Sequence, residues 1–293
     1  MSISSYTAAF LPGRGVLRIG GEEASGFLQA LITNNIENAT AENAVYSALL
    51  TPQGKFLFDF FIVRDGDDYL LDCERARAAD LLKRLILYRL RAKVTLANES
   101  ANYSVAALWG EGEPPSLPGL AYPDPRTALM GWRAILPGSE PAVEGVRLVP
   151  AADYHARRVA FGVGEAPFDI EAERSFPLEA NLDDLQGIDF QKGCFVGQEV
   201  TSRTKRRGVV RKRLLPCRVE GDMPSPGSPV KVGQREVGTV HSVDNAGERL
   251  IALLRLDLID GAIIEAGTAE LFPEKPLWAT FHISMAEEED ADG

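Results

Sequence analysis

Three features of this sequence predict an α+β fold in which helices cover one face of a largely antiparallel sheet and a small β-barrel follows. The first hundred residues alternate in the order strand, helix, strands, helix, strand. After Arg213 the helical period gives way to short strands between Gly, Pro and Asn turns. A length of 293 residues suits two domains of roughly 100–200 residues each. With 45% hydrophobic and 25% charged residues, the chain has enough apolar surface to bury a core.

The elements follow in order. Residues 16–19 alternate and meet Gly20-Gly21, and Ala24, Phe27, Leu28 and Leu31 then recur at helical spacing. Residues 46–50 and 56–63 are rich in aromatic and β-branched side chains, and TPQGK between them supplies Pro52 and Gly54 for a hairpin turn. Residues 69–73 form another short apolar run. Ala78, Leu81, Leu82, Leu85 and Tyr88 mark one face of a second helix whose other face carries Lys83, Arg84 and Arg91. Residues 94–96 resume strand character, and residues 103–109 extend the sheet. Pro114, Pro115 and Pro118 each remove a ladder donor, so residues 110–119 read as a loop and a subdomain break. Tyr154, Arg158 and Phe161 are helically spaced, and Gly162 and Gly164 end that helix. The barrel strands are LLPCRV, PVKV, EVGTVHSV, RLIALLRL and TAELF. The expected division is residues 1–205, residues 206–285 for the barrel, and residues 286–293 as a disordered acidic tail.

A formal charge of −11 excludes a globally basic nucleic-acid binder. Cys73, Cys194 and Cys217 are too few and too scattered for a disulfide framework or a zinc knuckle. No window approaches the ~18 uninterrupted apolar residues of a membrane span, so no membrane partner is expected. The first 21 residues lack the apolar block of a signal peptide, and a cytoplasmic location is expected. His155, His241 and His282 stand in unrelated contexts, and neither GxGxxG nor GxxxxGK[ST] occurs.

Chemistry concentrates in KGCFVGQEVTSRTKRRG, residues 192–208. Gly193 and Gly197 bracket Cys194 and permit a tight turn that presents a thiol. A cation brought close by Lys192 or Arg203 would favour thiolate. Against that stands the ordinary fate of an unpaired cysteine, burial as a small hydrophobe. Glu199 and Arg203 are spaced for a helical ion pair. Residues 203–213 hold seven basic residues and no acid, which would draw an anionic partner to one place or be neutralised by acids from elsewhere in the fold. Asp59, between Phe58 and Phe60, either sits at the mouth of a pocket or points outward by strand alternation.

The same segment, preceded by PLEANLDDLQGIDFQ at residues 177–191, resembles the signature of YgfZ-type folate-binding proteins, relatives of the glycine-cleavage T-protein (aminomethyltransferase) family. Weaker likeness extends to IGGEEASGFLQALITNNI, SALLTPQGKFLFDF and YHARRVAFGVGEAPFDI. The resemblance implies a T-protein-like folate-binding domain with a ferredoxin-like part and a C-terminal β-barrel. It implies binding of tetrahydrofolate or a derivative, and a role in assembling or repairing iron-sulfur enzymes, some of which modify tRNA. It matches Cys194 to the family's functional cysteine, as a redox thiol or transient cluster ligand, and Lys192, Gly193, Gln198, Glu199 and Arg203 to positions around it.

Where similar T-proteins carry two adjacent acids, this chain reads Phe58-Asp59. Losing a proton-handling acid typically costs ~10²–10⁴ in rate, which disfavours aminomethyl transfer. Three functions are thus ordered. The first is a folate-binding accessory protein for iron-sulfur assembly acting through Cys194, with assembly or client proteins as partners. The second is a folate-dependent one-carbon transferase using Asp59. The third is an RNA-binding module on residues 203–213, which lack the interleaved aromatics that stack bases.

Overall fold

The computed structural model describes residues 6–283 except 113, 209 and 245. The acidic tail expected at residues 286–293 lies outside the described residues.

Two five-stranded sheets face each other. The first runs β3 (Val45–Leu50), β4 (Phe56–Asp65), β5 (Asp68–Glu74), β2 (Arg14–Gly20), β6 (Thr95–Asn98), every pairing antiparallel. Helices α1 (Ala24–Leu31) and α2 (Ala78–Arg89) cover its outer face. Ala24, Phe27, Leu28 and Leu31 from α1, with Ala78, Leu81 and Leu85 from α2, join Phe58, Phe60 and Ile62 in one core. The alternate residues of the same strand, Phe61 and Val63, enter a second core between the sheets. Residues 56–63 are therefore buried on both faces. That is why the strand reads as a continuous apolar run rather than as an alternation.

The second sheet runs β10 (Arg147–Leu148), β1 (Thr7–Phe10), β7 (Tyr103–Trp109), β9 (Trp132–Pro137), β8 (Leu120–Pro123), with β1 and β10 parallel. The loop expected at residues 110–119 connects two strands of this one sheet. Strands β7 and β8, on either side of that loop, both pair with β9. The prolines end a strand there; they do not end a layer.

Helix α3 (Ala151–Ala160) leads into an irregular stretch up to α4 (Gln198–Arg207), two residues past the expected end of the first region. The remaining strands close a six-stranded barrel in the order β11 (Lys212–Glu220), β14 (Arg249–Arg255), β13 (Arg235–Val243), β12 (Pro229–Val232), β15 (Ile264–Ala266), β16 (Ala269–Pro273). The sequence pattern showed five of these; β15, three residues long, is too short to display a period. Leu215, Cys217, Val230, Val240 and Leu250 fill the barrel.

Candidate functional site

Cys194 is exposed, in the loop that enters α4. Its neighbours are pinned. Phe195 is buried in the inter-sheet core. Lys192 is also buried, and its ammonium donates to the carbonyls of Gln29 (2.7 Å), Ile32 (2.7 Å) and Asn34 (2.9 Å), closing the C-terminal end of α1. Burial lowers the Lys192 pKa to about 8. All three of its donors are engaged by main chain, so this side chain fastens the loop. The Asp189 carboxylate accepts from the backbone N–H groups of Gln191 (2.7 Å) and Lys192 (3.2 Å), shaping the turn that precedes it.

The two bracketing glycines differ. Gly197 has φ 82°, and a Cβ there would lie 2.6 Å from the Thr51 carbonyl oxygen and 3.0 Å from Gly54 Cα. Gly54, itself at φ 73°, lets the β3–β4 turn press on the start of α4, where Val200 stands opposite. Gly193 needs neither freedom, having no positive φ and nothing within 4 Å of an added Cβ. We expect Gly197→Ala to lower stability by about 2 kcal/mol or more, from left-handed strain plus a backbone clash. Gly193→Ala should stay within about 0.5 kcal/mol. Urea denaturation of the two variants checks the contrast.

Part of the charge on and after α4 is neutralised within the fold. Glu199 and Arg203 form the i,i+4 pair at the surface. Lys205 and Arg213 share Asp183, at 2.8 Å and 2.6 Å. Arg213, buried, also donates to the Leu178 carbonyl at 2.6 Å. Arg206, Arg207, Arg211 and Lys212 remain exposed. Gln198, Glu199 and Arg203 line a groove of about 530 Å³ with Ser202, Arg206 and Arg207. Cys194 is not among its lining residues.

The larger chemical concentration lies between the sheets, on residues that no motif marks. Asp72, fully buried on β5, accepts from Arg14 Nε (2.7 Å) and from Arg133 Nη2 (2.5 Å). Burial pushes its carboxyl pKa up, but Arg133 and Arg14 outweigh that and hold it below the usual carboxylate range. Arg126 grips Asp124 with two donors at 3.0 and 2.7 Å, and Arg126 and Arg133 both donate to the Tyr154 hydroxyl. Three guanidiniums, of Arg133 (4.0 Å), Arg126 (4.8 Å) and Arg14 (5.6 Å), surround the Phe61 ring.

Asp59 belongs to this interior, which corrects the outward orientation that alternation favoured. It is 4% exposed because β4 has no water-facing side. The Tyr46 hydroxyl donates to it at 3.0 Å. Burial raises its pKa, against the pull of Arg14. Phe58 points to the opposite face, with Arg77 stacked 4.2 Å over its ring.

The network opens to solvent through a mainly apolar cavity of about 720 Å³ whose walls include Arg14, Glu74, Arg75, Tyr154, Glu165 and Phe168. Neither Asp59 nor Cys194 lines it. The thiol and the cavity are separate features of the surface. Asp72 and Arg133 were missed because each is a lone charge beside an apolar run, and Tyr154 because it reads as one position of a helix face; the partners of all three lie tens of residues away. Lone charges flanked by aliphatics on several strands, as in YLLDC and WRAIL, were the available signal.

Residues 14–114 match the family described as the GCVT N-terminal domain, and residues 211–281 match the CAF17 C-terminal beta-barrel domain. The chain is 37% identical over 224 residues to a protein named iron-sulfur cluster assembly factor IBA57 homolog, mitochondrial, from Pyricularia oryzae, with 72% of the chain and 57% of that protein covered. To the mitochondrial IBA57 of Mus musculus it is 32% identical over 293 residues, covering 88% and 80%, and to that of Homo sapiens 36% over 240 residues, covering 74% and 67%. The chain spans little more than half the length of the relative from Pyricularia oryzae and of those from Mycosarcoma maydis and Neurospora crassa. In fold it is similar to the glycine cleavage system aminomethyltransferase T from Bartonella henselae, with a TM-score of 0.74 at 15% identity over 94% of this chain and 87% of that one. The T-protein-like fold with its terminal barrel is therefore as expected, and these relatives carry the name IBA57 where the sequence reading gave YgfZ. The cytoplasmic expectation is overturned, since the relatives are named as mitochondrial proteins. The expectation rested on the lack of a secretory apolar block, a feature that does not distinguish cytoplasm from mitochondrion.

Proposed function

The chain belongs to the IBA57 family, and on that premise we propose that it acts in iron-sulfur cluster assembly, with Cys194 offering a thiolate to a cluster in transit. The observation that carries this reading is an exposed sulfur on a loop fixed from beneath by Lys192, Phe195 and Gly197. The other two cysteines are buried, and burial pushes the Cys73 thiol up to about 12 and the Cys217 thiol higher. Neither is available as thiolate. Clusters are commonly held by four thiolates, and among the described residues no group of three His, Cys, Asp or Glu side chains could hold a metal ion. One ligand from this chain and the rest from a partner suits cargo being passed on.

The test is to express Cys194→Ala and Cys194→Ser in cells lacking the wild-type protein and assay iron-sulfur enzymes, tRNA-modifying ones among them. Both variants should fold normally, because the side chain is exposed, and should fail to restore activity. Full rescue by Cys194→Ala would remove the thiol from the mechanism.

The cavity supports a second ligand, tetrahydrofolate or a derivative. Its apolar walls and Phe168 suit a flat heterocycle, Glu74 and Glu165 can accept its N–H groups, and Arg14 and Arg75 can meet the carboxylates of a glutamate tail. A volume of about 720 Å³ is ample for it. Bound there, such a folate would supply one-carbon or reducing chemistry. The chain's own part is to bind and orient it. Asp59, behind the wall and hydrogen-bonded to Tyr46, is poorly placed to handle its protons.

A further inference from the structure

The C-terminal end of α2 carries an apolar tip that the core does not use. Ile86, Leu87 and Leu90 are 44%, 69% and 87% exposed, while the helix buries Ala78, Leu81 and Leu85 on its other side. Ile86 and Leu87 lie in the last turn of α2 and Leu90 directly follows it, so three exposed apolar residues fall within five positions at one end of the helix. Residues 83–93 contain five basic residues and no acid, in a chain of net charge −11. Lys83 pairs with Asp80 and Lys93 with Glu22. Arg84, Arg89 and Arg91 make no ion pair among the described residues.

Leu90 is the telling position. It follows the last helical residue at φ 47°, a left-handed conformation that glycine adopts freely and a leucine adopts at a cost. Its side chain recovers none of that cost by packing, since it stands almost wholly in solvent. Leu90 is thus an aliphatic residue held outward under strain, and its chain neighbours Arg89 and Arg91 are exposed.

We propose that this end of α2 is a docking surface for an anionic lipid membrane, with Ile86, Leu87 and Leu90 entering the interfacial layer and Arg84, Arg89 and Arg91 meeting headgroup phosphates. Charge complementarity selects an anionic partner. The shape selects a lipid one, because a projecting helix end fits a fluid interface without the matching groove a protein would need. The contact is adsorption, for no helix among the described residues is long and apolar enough to cross a bilayer.

The experiment is co-sedimentation of the full chain with phosphatidylcholine vesicles, with and without one-third phosphatidylserine. Binding should require the anionic lipid. The pair Leu87→Ser with Leu90→Ser should weaken it about tenfold or more. Replacing Arg84, Arg89 and Arg91 by Gln should weaken it similarly and remove its salt sensitivity. Leu90→Gly, which relieves the strain, should unfold at a higher temperature than wild type yet bind less, separating lipid contact from folding. Equal binding to neutral vesicles, or leucine variants that bind like wild type, would overturn the proposal. Equal affinity for soluble polyglutamate would also overturn it and assign the patch to an acidic protein.

Discussion

Asp72→Asn should lower stability by about 3–5 kcal/mol, the usual consequence of removing one partner from a buried charge network. The carboxylate is the shared acceptor of two guanidiniums. Arg14 reaches one oxygen through Nε and also donates to the Asp72 carbonyl at 2.8 Å, while Arg133 reaches the other oxygen through Nε and Nη2. All three side chains are between 0% and 4% exposed. An amide in that position keeps a single acceptor and turns an N–H₂ toward a cation, so two positive groups lose their counter-charge away from water. At roughly 2–4 °C per kcal/mol the melting temperature should fall by about 6–20 °C. The double variant Asp72→Asn with Arg133→Met should recover part of the loss, because an apolar side chain removes one of the uncompensated cations. A loss in the double variant equal to the sum of the losses in the two single variants would show that Asp72 is not coupled to Arg133.

The pH dependence has a definite sign. Asp72 has a folded-state pKa below its unfolded value, so its contribution is fully present above the unfolded value and is lost as pH falls through the folded one. Asp59 runs the other way. Its raised pKa means that the folded protein holds the proton more tightly than the unfolded chain, and its contribution declines as pH rises through the folded value. The deficit of Asp72→Asn should therefore shrink on acidification below the unfolded carboxylate range, where the wild type loses the same charge. Thermal unfolding of both proteins across acid and neutral pH measures it.

Sequence made the layers legible because they follow from local period. The helix positions Ala24, Phe27, Leu28 and Leu31 all turn inward as spaced, and TPQGK makes the turn its Gly54 suggested. Charges on strands were not legible in that way. A single Asp in YLLDC is compatible with an outward face, and only the arrival of the second sheet, with Arg133 61 positions away, makes it an interior anchor. The Cys194 loop lies between these cases. Its sequence left a presented and a buried thiol both open; Cys194 is exposed, and Gly197 has the positive φ its bracketing position allowed. Lys192, read as a neighbour for the sulfur, turned to the carbonyls of a helix some 160 positions earlier, a partner that spacing does not encode.

Asp169→Ala should have a comparable effect, about 3–5 kcal/mol, with a different signature. Asp169 and Arg158 are both fully buried at their side chains and meet at 2.5 Å. The other Asp169 oxygen accepts from the Ser242 backbone N–H (3.0 Å), and Arg158 donates to the Ser242 hydroxyl (2.7 Å). His155 completes the contact, its Nε2–H donating to the Val243 carbonyl at 2.9 Å while Nδ1 accepts from Arg158 at 3.0 Å. Ser242 and Val243 lie on β13, so these bonds clasp the barrel to α3 and the loop after it. Breaking the clasp should leave each core intact and weaken their docking, and calorimetry should show one transition for the wild type and two for the variant. Ser242→Ala, which removes a single neutral acceptor, should cost only about 1–3 kcal/mol and preserve one transition. Glu165 extends the consequence to the cavity, because it stands 3.1 Å from Arg158 Nε and 3.8 Å from Arg14. A ligand that engages Glu165 therefore touches the clasp and the inter-sheet network together. Saturating tetrahydrofolate should accordingly raise the melting temperature of the wild type and lose most of that effect in Asp169→Ala, where the clasp holding Arg158 beside Glu165 is gone.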